Sequence, residues 1–301
     1  MSSNSEQHDF HCGFVSIVGR PNVGKSTLLN KILGQKIAIT ANKPQTTRNR
    51  VLGIRTTDTA QTLFLDTPGI HKARGKLNQY MVDQALSACS GVDVVLLVTD
   101  ATQTGNSDDF ILQILAKNNI PVVLLINKID CIEKTDLLPL IANYNNAFDF
   151  AAIIPICAED GSGVEDMLDQ VEKMLPPGPM LYPEDAVTDL PERFIVAEMI
   201  REKVLRRTRQ ELPYGVAVEV ESFTERARDG LISIQAVIYV GRDAHKRILV
   251  GKGGSMIRTL GTDARHEIER FLDTKVYLEL FVKVKKNWME SERALRELGY
   301  S

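Results

Sequence analysis

Three short motifs in the first half of the chain have the residue types and order of a nucleotide site. Residues 19–26, GRPNVGKS, match the G-x-x-x-x-G-K-[ST] phosphate-binding loop, and DTPG at 66–69 and NKID at 127–130 follow it. The first motif alone indicates some nucleoside triphosphate. The last selects the base, because the Asp130 carboxylate can accept hydrogen bonds from N1–H and the N2 amino group of guanine, and adenine has no matching donors. We therefore predict a guanine-nucleotide site.

The segments around these motifs predict the elements that position them. Apolar runs predict strands at residues 14–18, 62–66, 92–98 and 121–126. The last two runs are almost continuously apolar, with Asp93 the exception, which is typical of parallel strands covered on both faces. Apolar residues at helical spacing in 25–33 predict a helix directly after the phosphate loop. The first half is thus expected to be an α/β P-loop GTPase domain, with a mostly parallel sheet between helices.

The phosphate loop and the DTPG motif define the expected phosphate and magnesium ligands. A strand–loop–helix passage points backbone N–H groups and a helix N-terminus at phosphates. Lys25 is expected to contact the β- and γ-phosphates, and the Ser26 hydroxyl is expected to coordinate Mg²⁺. Asp66 is expected to lie just outside the direct ligands of that ion or to contact a water bound to it. The predicted phosphate-binding residues are Gly19, Asn22, Val23, Gly24, Lys25, Ser26, Thr27, Asp66 and Gly69.

The base site and the catalytic machinery are less completely specified. Residues 156–159, ICAE, follow a short apolar stretch, and the Ala158 N–H is a candidate donor to guanine O6. The predicted base-binding residues are Asn127, Lys128, Asp130, Cys157 and Ala158. Ras-like enzymes have a water-orienting Gln directly after this DxxG motif, whereas this chain has Ile70. A hydrocarbon cannot hydrogen-bond the attacking water, so slow intrinsic hydrolysis is expected.

Residues 43–50, KPQTTRNR, lie between the first predicted helix and the next strand and are a candidate switch. A threonine hydroxyl here can bind Mg²⁺ only while the γ-phosphate holds the loop, which makes an order–disorder switch. Thr46 and Thr47 both fit this role, and a plain polar surface loop is the alternative.

The second half predicts a different module. The pattern is helix, strand, strand, helix, helix, strand, with the loop Gly251-Lys252-Gly253-Gly254 between the paired helices. A G-x-x-G loop of this kind lets the backbone approach single-stranded nucleic acid beside an apolar groove. The predicted RNA-binding residues are Lys246, Arg247, Gly251, Lys252, Gly253, Gly254 and Arg258. A helix–turn–helix with a glycine turn, and basic residues that are merely solvated, are the alternatives.

The composition and a proline-rich boundary agree with two globular domains. A proline-rich boundary at 176–179 divides the chain into a GTPase domain (1–178), a linker (179–192) and a smaller α+β domain with a C-terminal tail (193–301). The part from residue 191 onward has 21 basic and 17 acidic residues, whereas the remainder has 15 and 22, so the second half suits an acidic partner. The four cysteines have no C-x-x-C spacing, and no apolar run approaches the roughly 20 residues of a membrane span. These features predict a cytoplasmic protein without disulfides or zinc.

Over nearly its full length the chain resembles the Era-like GTPases, bacterial GTPases with a C-terminal type II KH domain. The resemblance rests on the three nucleotide motifs, on QTTR at 45–48, on the G-x-x-G loop and on the tail segments 280–288 and 295–300. It implies a GTPase that binds GTP and GDP, requires Mg²⁺, recognises 16S rRNA near its 3′ end, and assists 30S subunit assembly and rRNA maturation. It also implies a cytoplasmic monomer, some of which attaches peripherally to the inner membrane.

The resemblance also assigns roles that spacing alone leaves open. It selects Thr47 as the switch ligand of Mg²⁺ and makes Asn22 a candidate K⁺ ligand at the place of an arginine finger, with bracing of the loop as the alternative for Asn22. The implied catalytic residues are Lys25, Thr47, Gly69 and Asn22. A translation factor, a tRNA-modifying GTPase and an RNA chaperone timed by GTP are the competing functions. The translation factor lacks support because the chain has no further β-barrel domains. The tRNA-modifying GTPase lacks support because the chain has a G-x-x-G loop.

Overall fold

A computed structural model describes residues 10–70, 75–103, 108–117, 119–209, 212–226 and 230–300 of the chain. These residues form two compact units. The first unit contains the described residues of 10–37, 49–70 and 81–189, and the second contains those of 38–48, 75–80 and 190–300.

The first unit is built on a six-stranded sheet. Its strands are β1 (His11–Gly19), β2 (Val51–Thr56), β3 (Ala60–Asp66), β4 (Val94–Asp100), β5 (Val122–Asn127) and β6 (Ala152–Pro155). The spatial order is β2-β3-β1-β4-β5-β6, and every neighbouring pair is parallel except β2 with β3. Every residue of β4 and β5 is buried, which confirms the expectation of parallel strands covered on both faces.

Two features of this sheet differ from the sequence expectation. The antiparallel edge strand β2 is not predicted by the apolar pattern. In addition, β4 begins at Val94 rather than Val92, because the Asp93 carboxylate accepts a hydrogen bond from the Phe14 N–H (2.8 Å) at the start of the strand.

Five helices accompany the sheet among the described residues of the N-terminal half. They are α1 (Lys25–Leu33), α2 (Lys76–Ser87), α3 (Asp109–Leu115), α4 (Lys134–Ala147) and α5 (Val164–Glu172). Helix α1 follows the phosphate loop as predicted and ends at Gly34, whose N–H donates to the Lys31 carbonyl.

The second unit has the predicted order of a KH module. Its elements are α6 (Glu192–Arg207), β7 (Val216–Glu225), β8 (Ile232–Val240), α7 (Asp243–Val250), α8 (Ser255–Leu272), β9 (Val276–Val284) and α9 (Glu292–Glu297). The sheet order is β7-β8-β9, antiparallel and then parallel. Apolar residues of α6 and α8, such as Ile200 and Ile268, pack with Ile234 and Ile238 of β8 in one core. Within the described ranges no helix is both long and apolar enough to cross a bilayer.

Two segments of the N-terminal half belong to the second unit. Residues 38–48 comprise residues 43–48 of the predicted switch segment (43–50) and the chain leading to them, and residues 75–80 include the start of α2. Leu77 is buried in a cluster with Trp288, Leu295 and Tyr300. The sequence does not indicate this assignment, because the segments carry no periodic apolar pattern of their own.

The buried centre of the first sheet predicts a stability difference between two leucines. Leu124, in β5, is 0% exposed, whereas Leu138, in α4, is 72% exposed. Leu124→Ala is expected to lower the free energy of unfolding of the first unit by about 2–5 kcal/mol, since it leaves a cavity in a closely packed sheet. Leu138→Ala should change it by no more than about 0.5 kcal/mol. Urea unfolding followed by circular dichroism measures both, and equal effects would contradict the assignment of β5 to the core.

Candidate functional site

The predicted nucleotide motifs lie at the carboxyl ends of neighbouring strands. Ile17 pairs with Asp66, and Asp100 pairs with Asn127, so β1, β3, β4 and β5 end at one edge of the sheet. The chain passes from β1 to β2 and β3 on one side of β1 and then crosses to β4 on its other side, and this reversal of strand order is where open α/β sheets bind ligands. The topology therefore brings the three motifs to one crevice.

The phosphate loop has a left-handed residue directly before α1. Gly24 has φ +104°, and a Cβ there would lie 2.2 Å from Asn127 Nδ2, so only glycine fits. Lys25 is buried, and its ammonium donates to the carbonyl oxygens of Gly19 (3.0 Å) and Arg20 (2.8 Å). Burial lowers the pKa of Lys25 to about 8, against the opposing charge of Asp66. The loop thus holds a cation at its centre that an anionic ligand would stabilise.

Ser26 and Asp66 form the candidate magnesium site. The Ser26 hydroxyl donates to Asp66 Oδ2 (2.6 Å). Asp66 is fully buried, and desolvation raises the pKa of its carboxyl to about 6, although Lys25 and the Ser26 hydrogen bond act in the opposite direction. Its Oδ1 is buried and accepts no hydrogen bond from a described residue. A hydroxyl and a carboxylate are hard oxygen donors of the kind Mg²⁺ takes together with phosphate oxygens, so these residues fit that ion.

Other metal chemistry has no such donor set in the described part of the chain. No cluster of three or more His, Cys, Asp or Glu residues suited to a metal occurs there.

The Asn127 side chain joins two loops rather than pointing only at the base. Its Nδ2 donates to the Val23 carbonyl (2.7 Å), and its Oδ1 accepts from the Ala158 N–H (2.9 Å). Asn127 is itself buried at the end of β5. It therefore holds the phosphate loop and the ICAE segment in one arrangement, and in this structure the Ala158 N–H is engaged by Asn127.

Lys128 links the base motif to the phosphate loop in a second way. Its ammonium donates to the Asn22 carbonyl (3.0 Å) and forms an ion pair with Asp100 Oδ2 (2.7 Å). Both Asn22 (φ +64°) and Lys128 (φ +66°) adopt left-handed backbone conformations. The Asn22 side chain is exposed. The sequence analysis missed Asp100, although its place at the end of an apolar strand is the same signal that marks Asp66.

Asp130, the residue expected to read guanine, is exposed and flanked by two thiols. Cys131 Sγ donates to Asp130 Oδ2 (3.3 Å). Hydrogen bonds from the Cys157 and Cys131 thiols hold the pKa of the Asp130 carboxyl below its ordinary value. An ionised carboxylate is the form that accepts two hydrogen bonds from guanine.

Residues 69 and 70 connect the DTPG motif to the phosphate loop. The Ile70 N–H donates to the Gly19 carbonyl (3.1 Å), and its side chain is buried in the apolar core. A Cβ on Gly69 would lie 2.5 Å from the Pro21 backbone nitrogen. Ile70 therefore presents no polar group to a water at this site, in agreement with the expectation from sequence.

The two switch threonines have different surroundings within the second unit. Thr46 is buried, and its hydroxyl donates to the Lys43 carbonyl (2.6 Å). Thr47 is half-buried. The role of Thr47 as a ligand of Mg²⁺ stays a prediction.

The G-x-x-G loop joins α7 to α8 and carries exposed cations. Gly251, Gly253 and Gly254 all have positive φ, and Gly254 precedes the first residue of α8. The side chains of Lys246, Arg247, Lys252 and Arg258 are exposed and form no ion pair with any residue that the structure describes. Ile248 beside them is 53% exposed. Unpaired cations next to an exposed apolar side chain suit a single-stranded nucleic acid.

The loop geometry predicts a difference between two glycines at the ends of α1. Gly24→Ala is expected to abolish guanine-nucleotide binding, because its Cβ would displace Asn127 and strain the left-handed backbone. Gly34→Ala is the matched control: Gly34 also has positive φ (+67°), but a Cβ there has no atom within 4 Å. It should cost about 1 kcal/mol of stability and leave binding intact. Calorimetric titration with GDP measures both, and unimpaired binding by Gly24→Ala would contradict this geometry.

Two family models match the chain. The model described as "50S ribosome-binding GTPase" covers residues 14–128, and the model described as "KH domain" covers residues 211–289. The first match spans the phosphate loop through the NK of the base motif, and the second spans the G-x-x-G loop.

Known relatives match over almost the whole chain. GTPase Era of Geobacter metallireducens is 56% identical over 97% of this chain and 98% of its own length, and GTPase Era of Geotalea uraniireducens is 55% identical over 98% and 99%. A crystal structure of Era in complex with MgGDPNP and nucleotides 1506–1542 of 16S ribosomal RNA has 39% identity and a TM-score of 0.94, covering 97% of this chain and 99% of that one. A crystal structure of a point variant of Aquifex aeolicus Era bound to GDP·AlF4⁻ also has 39% identity and a TM-score of 0.94, covering 97% and 100%. With a P-loop GTPase domain followed by a KH domain, and with these relatives, the chain belongs to the Era family of GTPases.

Proposed function

We propose that this GTPase is a slow molecular switch that binds 16S rRNA near its 3′ end through its KH domain and assists 30S subunit assembly and rRNA maturation. The observation that carries the proposal is the convergence of the phosphate loop, Asp66 and the base motif at one sheet edge, in a chain that also has a G-x-x-G loop with unpaired cations. The similarity to an Era bound to both MgGDPNP and 16S rRNA supports the pairing of these ligands.

The nucleotide roles follow from the positions of the side chains. Lys25 would exchange its bonds to the Gly19 and Arg20 carbonyls for bonds to phosphate oxygens, which stabilise its charge better than neutral dipoles do. Asp130 would accept from the base. Asn127 holds the phosphate loop in place for both contacts.

Ser26 and Thr47 would hold Mg²⁺ on the nucleotide, and Asp66 would lie just outside the direct ligands of the ion. When bound, the ion neutralises charge that develops on the phosphate oxygens during transfer. Ser26 and Asp66 are already joined by a hydrogen bond, so the donor set is organised before the ligand enters. Thr47 would join only in the GTP state, which is what makes the segment a switch.

Hydrolysis in this chain would depend on positioning and charge stabilisation rather than on a water-orienting side chain. Ile70 is buried and apolar, so it cannot orient water. Lys25 and the Gly69 N–H are the groups left to stabilise the γ-phosphate. We include Asn22 as a K⁺ ligand, because its side chain is exposed at the loop and its left-handed backbone holds it there; bracing of the loop is the alternative role.

The proposed RNA site is the loop between α7 and α8. Its glycines allow the backbone to approach the sugar-phosphate chain, and Lys246, Arg247, Lys252 and Arg258 supply charge. By linkage, RNA bound here would tighten GTP relative to GDP if the GTP state exposes the groove. We also propose the domain limits given above (1–178 and 193–301, with the linker 179–192) and a monomeric cytoplasmic protein with some attachment to the inner membrane.

A chaperone that uses GTP only as a timer is the second candidate function. The buried Ile70 favours it in one respect, because slow hydrolysis gives a long-lived GTP state. The two candidates differ in whether turnover is needed for subunit assembly.

Base specificity provides the first test. Asp130→Asn is expected to weaken GTP binding by about a hundredfold or more and to favour xanthosine nucleotides, because an amide can donate to the xanthine O2 where the carboxylate accepted from the guanine amino group. The control is Asp160→Asn, which changes a nearby exposed carboxylate that accepts from the Ser162 N–H. Calorimetry with GTP and XTP measures both variants. Retained GTP preference in Asp130→Asn would contradict the assignment of that carboxylate.

RNA binding provides the second test. The protein is expected to bind a single-stranded oligonucleotide copying the 3′ end of 16S rRNA more tightly than a scrambled one, and more tightly with a GTP analogue than with GDP. Arg247→Gln and Lys252→Gln should each reduce the slope of log affinity against log salt by about 0.7, the value for one lost phosphate contact on a single strand.

Lys275→Gln serves as the control for these variants, since Lys275 is an exposed cation (84%) in the same unit, away from the G-x-x-G loop. Fluorescence anisotropy over a salt series gives the slopes. Unselective binding with an unchanged slope would overturn the RNA assignment.

A further inference from the structure

Arg48, the residue directly after Thr47, is buried in a specific socket of the second unit. Its guanidinium donates to the carbonyl oxygens of Val216 (2.7 Å) and Tyr214 (2.9 Å) and to the Tyr300 hydroxyl (3.3 Å). It also lies 5.8 Å from the Trp288 ring centroid and 5.7 Å from that of Tyr300. Only 1% of Arg48 is exposed. We call Tyr214, Val216, Trp288 and Tyr300 the Arg48 socket.

The chemistry of the socket is unusual for a structural contact. Arg48 makes no ion pair within 4 Å with a residue in the described part of the chain, so its direct partners are carbonyl dipoles, one hydroxyl and two aromatic rings, with the charge of Glu198 acting from a greater distance. Burying a cation is unfavourable unless it is fully paired, and an apolar residue would fill such a site with less desolvation. Its Nε is buried and donates to no acceptor among these residues. Because its hydrogen bonding in the socket is incomplete, Arg48 is suited to leave the socket.

Further contacts hold the same segment by its backbone. Arg201 donates to the carbonyl oxygens of Thr46 and Gln45, and Lys43 donates to those of Leu205 and Thr208. Arg206 donates to the Thr40 carbonyl (3.2 Å). All of these residues belong to the second unit. The whole segment 38–48 is therefore fastened to the KH-containing unit, with Arg48 as its last and most deeply buried residue.

The proposed switch role of Thr47 places a competing demand on this segment. Consecutive Cα atoms are about 3.8 Å apart, so a backbone displacement of Thr47 on binding Mg²⁺ also displaces Arg48. We propose, resting on that switch role, that Arg48 is a positioning residue: its socket holds residues 38–48 in the KH-containing unit, and engagement of Thr47 by Mg²⁺ and the γ-phosphate withdraws Arg48 from the socket. By reciprocity, an occupied socket weakens GTP relative to GDP, and an emptied one changes the surroundings of the buried Trp288 and Tyr300 rings.

Trp288 makes the proposal directly measurable, because it is the single tryptophan of the chain. In the full-length protein, exchange of GDP for a non-hydrolysable GTP analogue with Mg²⁺ is expected to shift the Trp288 emission, since the guanidinium leaves its ring. Arg48→Gln should abolish that shift and raise the ratio of GTP-analogue to GDP affinity by at least about fivefold, the lower end of ordinary coupling between sites.

Two further variants complete the experiment. Tyr300→Phe removes one hydrogen bond to Arg48 and keeps the ring, so it should raise the affinity ratio by a smaller factor even if Arg48→Gln fails to fold. Arg207→Gln removes an exposed arginine of the same unit that pairs with Asp263, and it should leave both the emission shift and the ratio unchanged. Circular dichroism checks the fold of each.

The outcomes separate this inference from the proposed function. If calorimetry shows that both nucleotides bind and Trp288 emission is the same with each, the inference is overturned while the nucleotide site stands. An unchanged affinity ratio in Arg48→Gln and Tyr300→Phe likewise overturns it. If the wild-type protein binds neither nucleotide, the proposed function fails and this inference fails with it.

Discussion

The Asn127 side-chain amide is the interaction on which the nucleotide site depends. One amide satisfies the Val23 carbonyl of the phosphate loop, 104 residues away in sequence, and the Ala158 N–H of the last base segment. Both groups are buried, and an unpaired buried backbone group costs about 1–3 kcal/mol. Asn127 can make both bonds only because parallel strands end at the same edge, so the sheet topology and the site geometry are one constraint.

Buried charge is the second organising feature of this edge. The Lys25 ammonium and the Asp66 carboxylate are both desolvated, and each has its pKa moved toward neutrality by burial. Their hydrogen-bond partners in the protein are carbonyl oxygens for Lys25 and a hydroxyl for Asp66, which are weaker partners than a phosphate and a metal ion. The site is consequently built around charges that a magnesium–nucleotide complex would satisfy, and this is electrostatic preorganisation of the kind phosphoryl transfer uses.

The sequence predicts those parts of the molecule that local pattern controls. Strand-end motifs, the helix after the phosphate loop and the G-x-x-G turn all follow from residue type and spacing, and the structure has them. Asp100 was missed because no short motif contains it, and its role depends on Lys128 lying opposite in space. The placement of Arg48 was missed for a deeper reason. Its hydrogen-bond partners lie between 166 and 252 residues away, and two of its three hydrogen bonds go to backbone carbonyls, which carry no residue-specific signal.

In the proposed function, the buried Ile70 would make the GTP state long-lived, and the proposed role of Arg48 would carry the consequences of that state into the KH-containing unit. A buried isoleucine removes the side chain that would orient water, so the chemical step relies on the loop and its cation. A slow chemical step would keep GTP bound long enough for a macromolecular partner to bind or dissociate. Rapid hydrolysis would end the GTP state before that process was complete. Arg48, in the role proposed above, would supply a physical route by which the state of the nucleotide alters the second unit, because it belongs to the proposed switch segment in sequence and contacts the rings of Trp288 and Tyr300 in space. A chain that hydrolysed GTP quickly would gain little from the Arg48 socket, since Arg48 would return to it before a large RNA had responded.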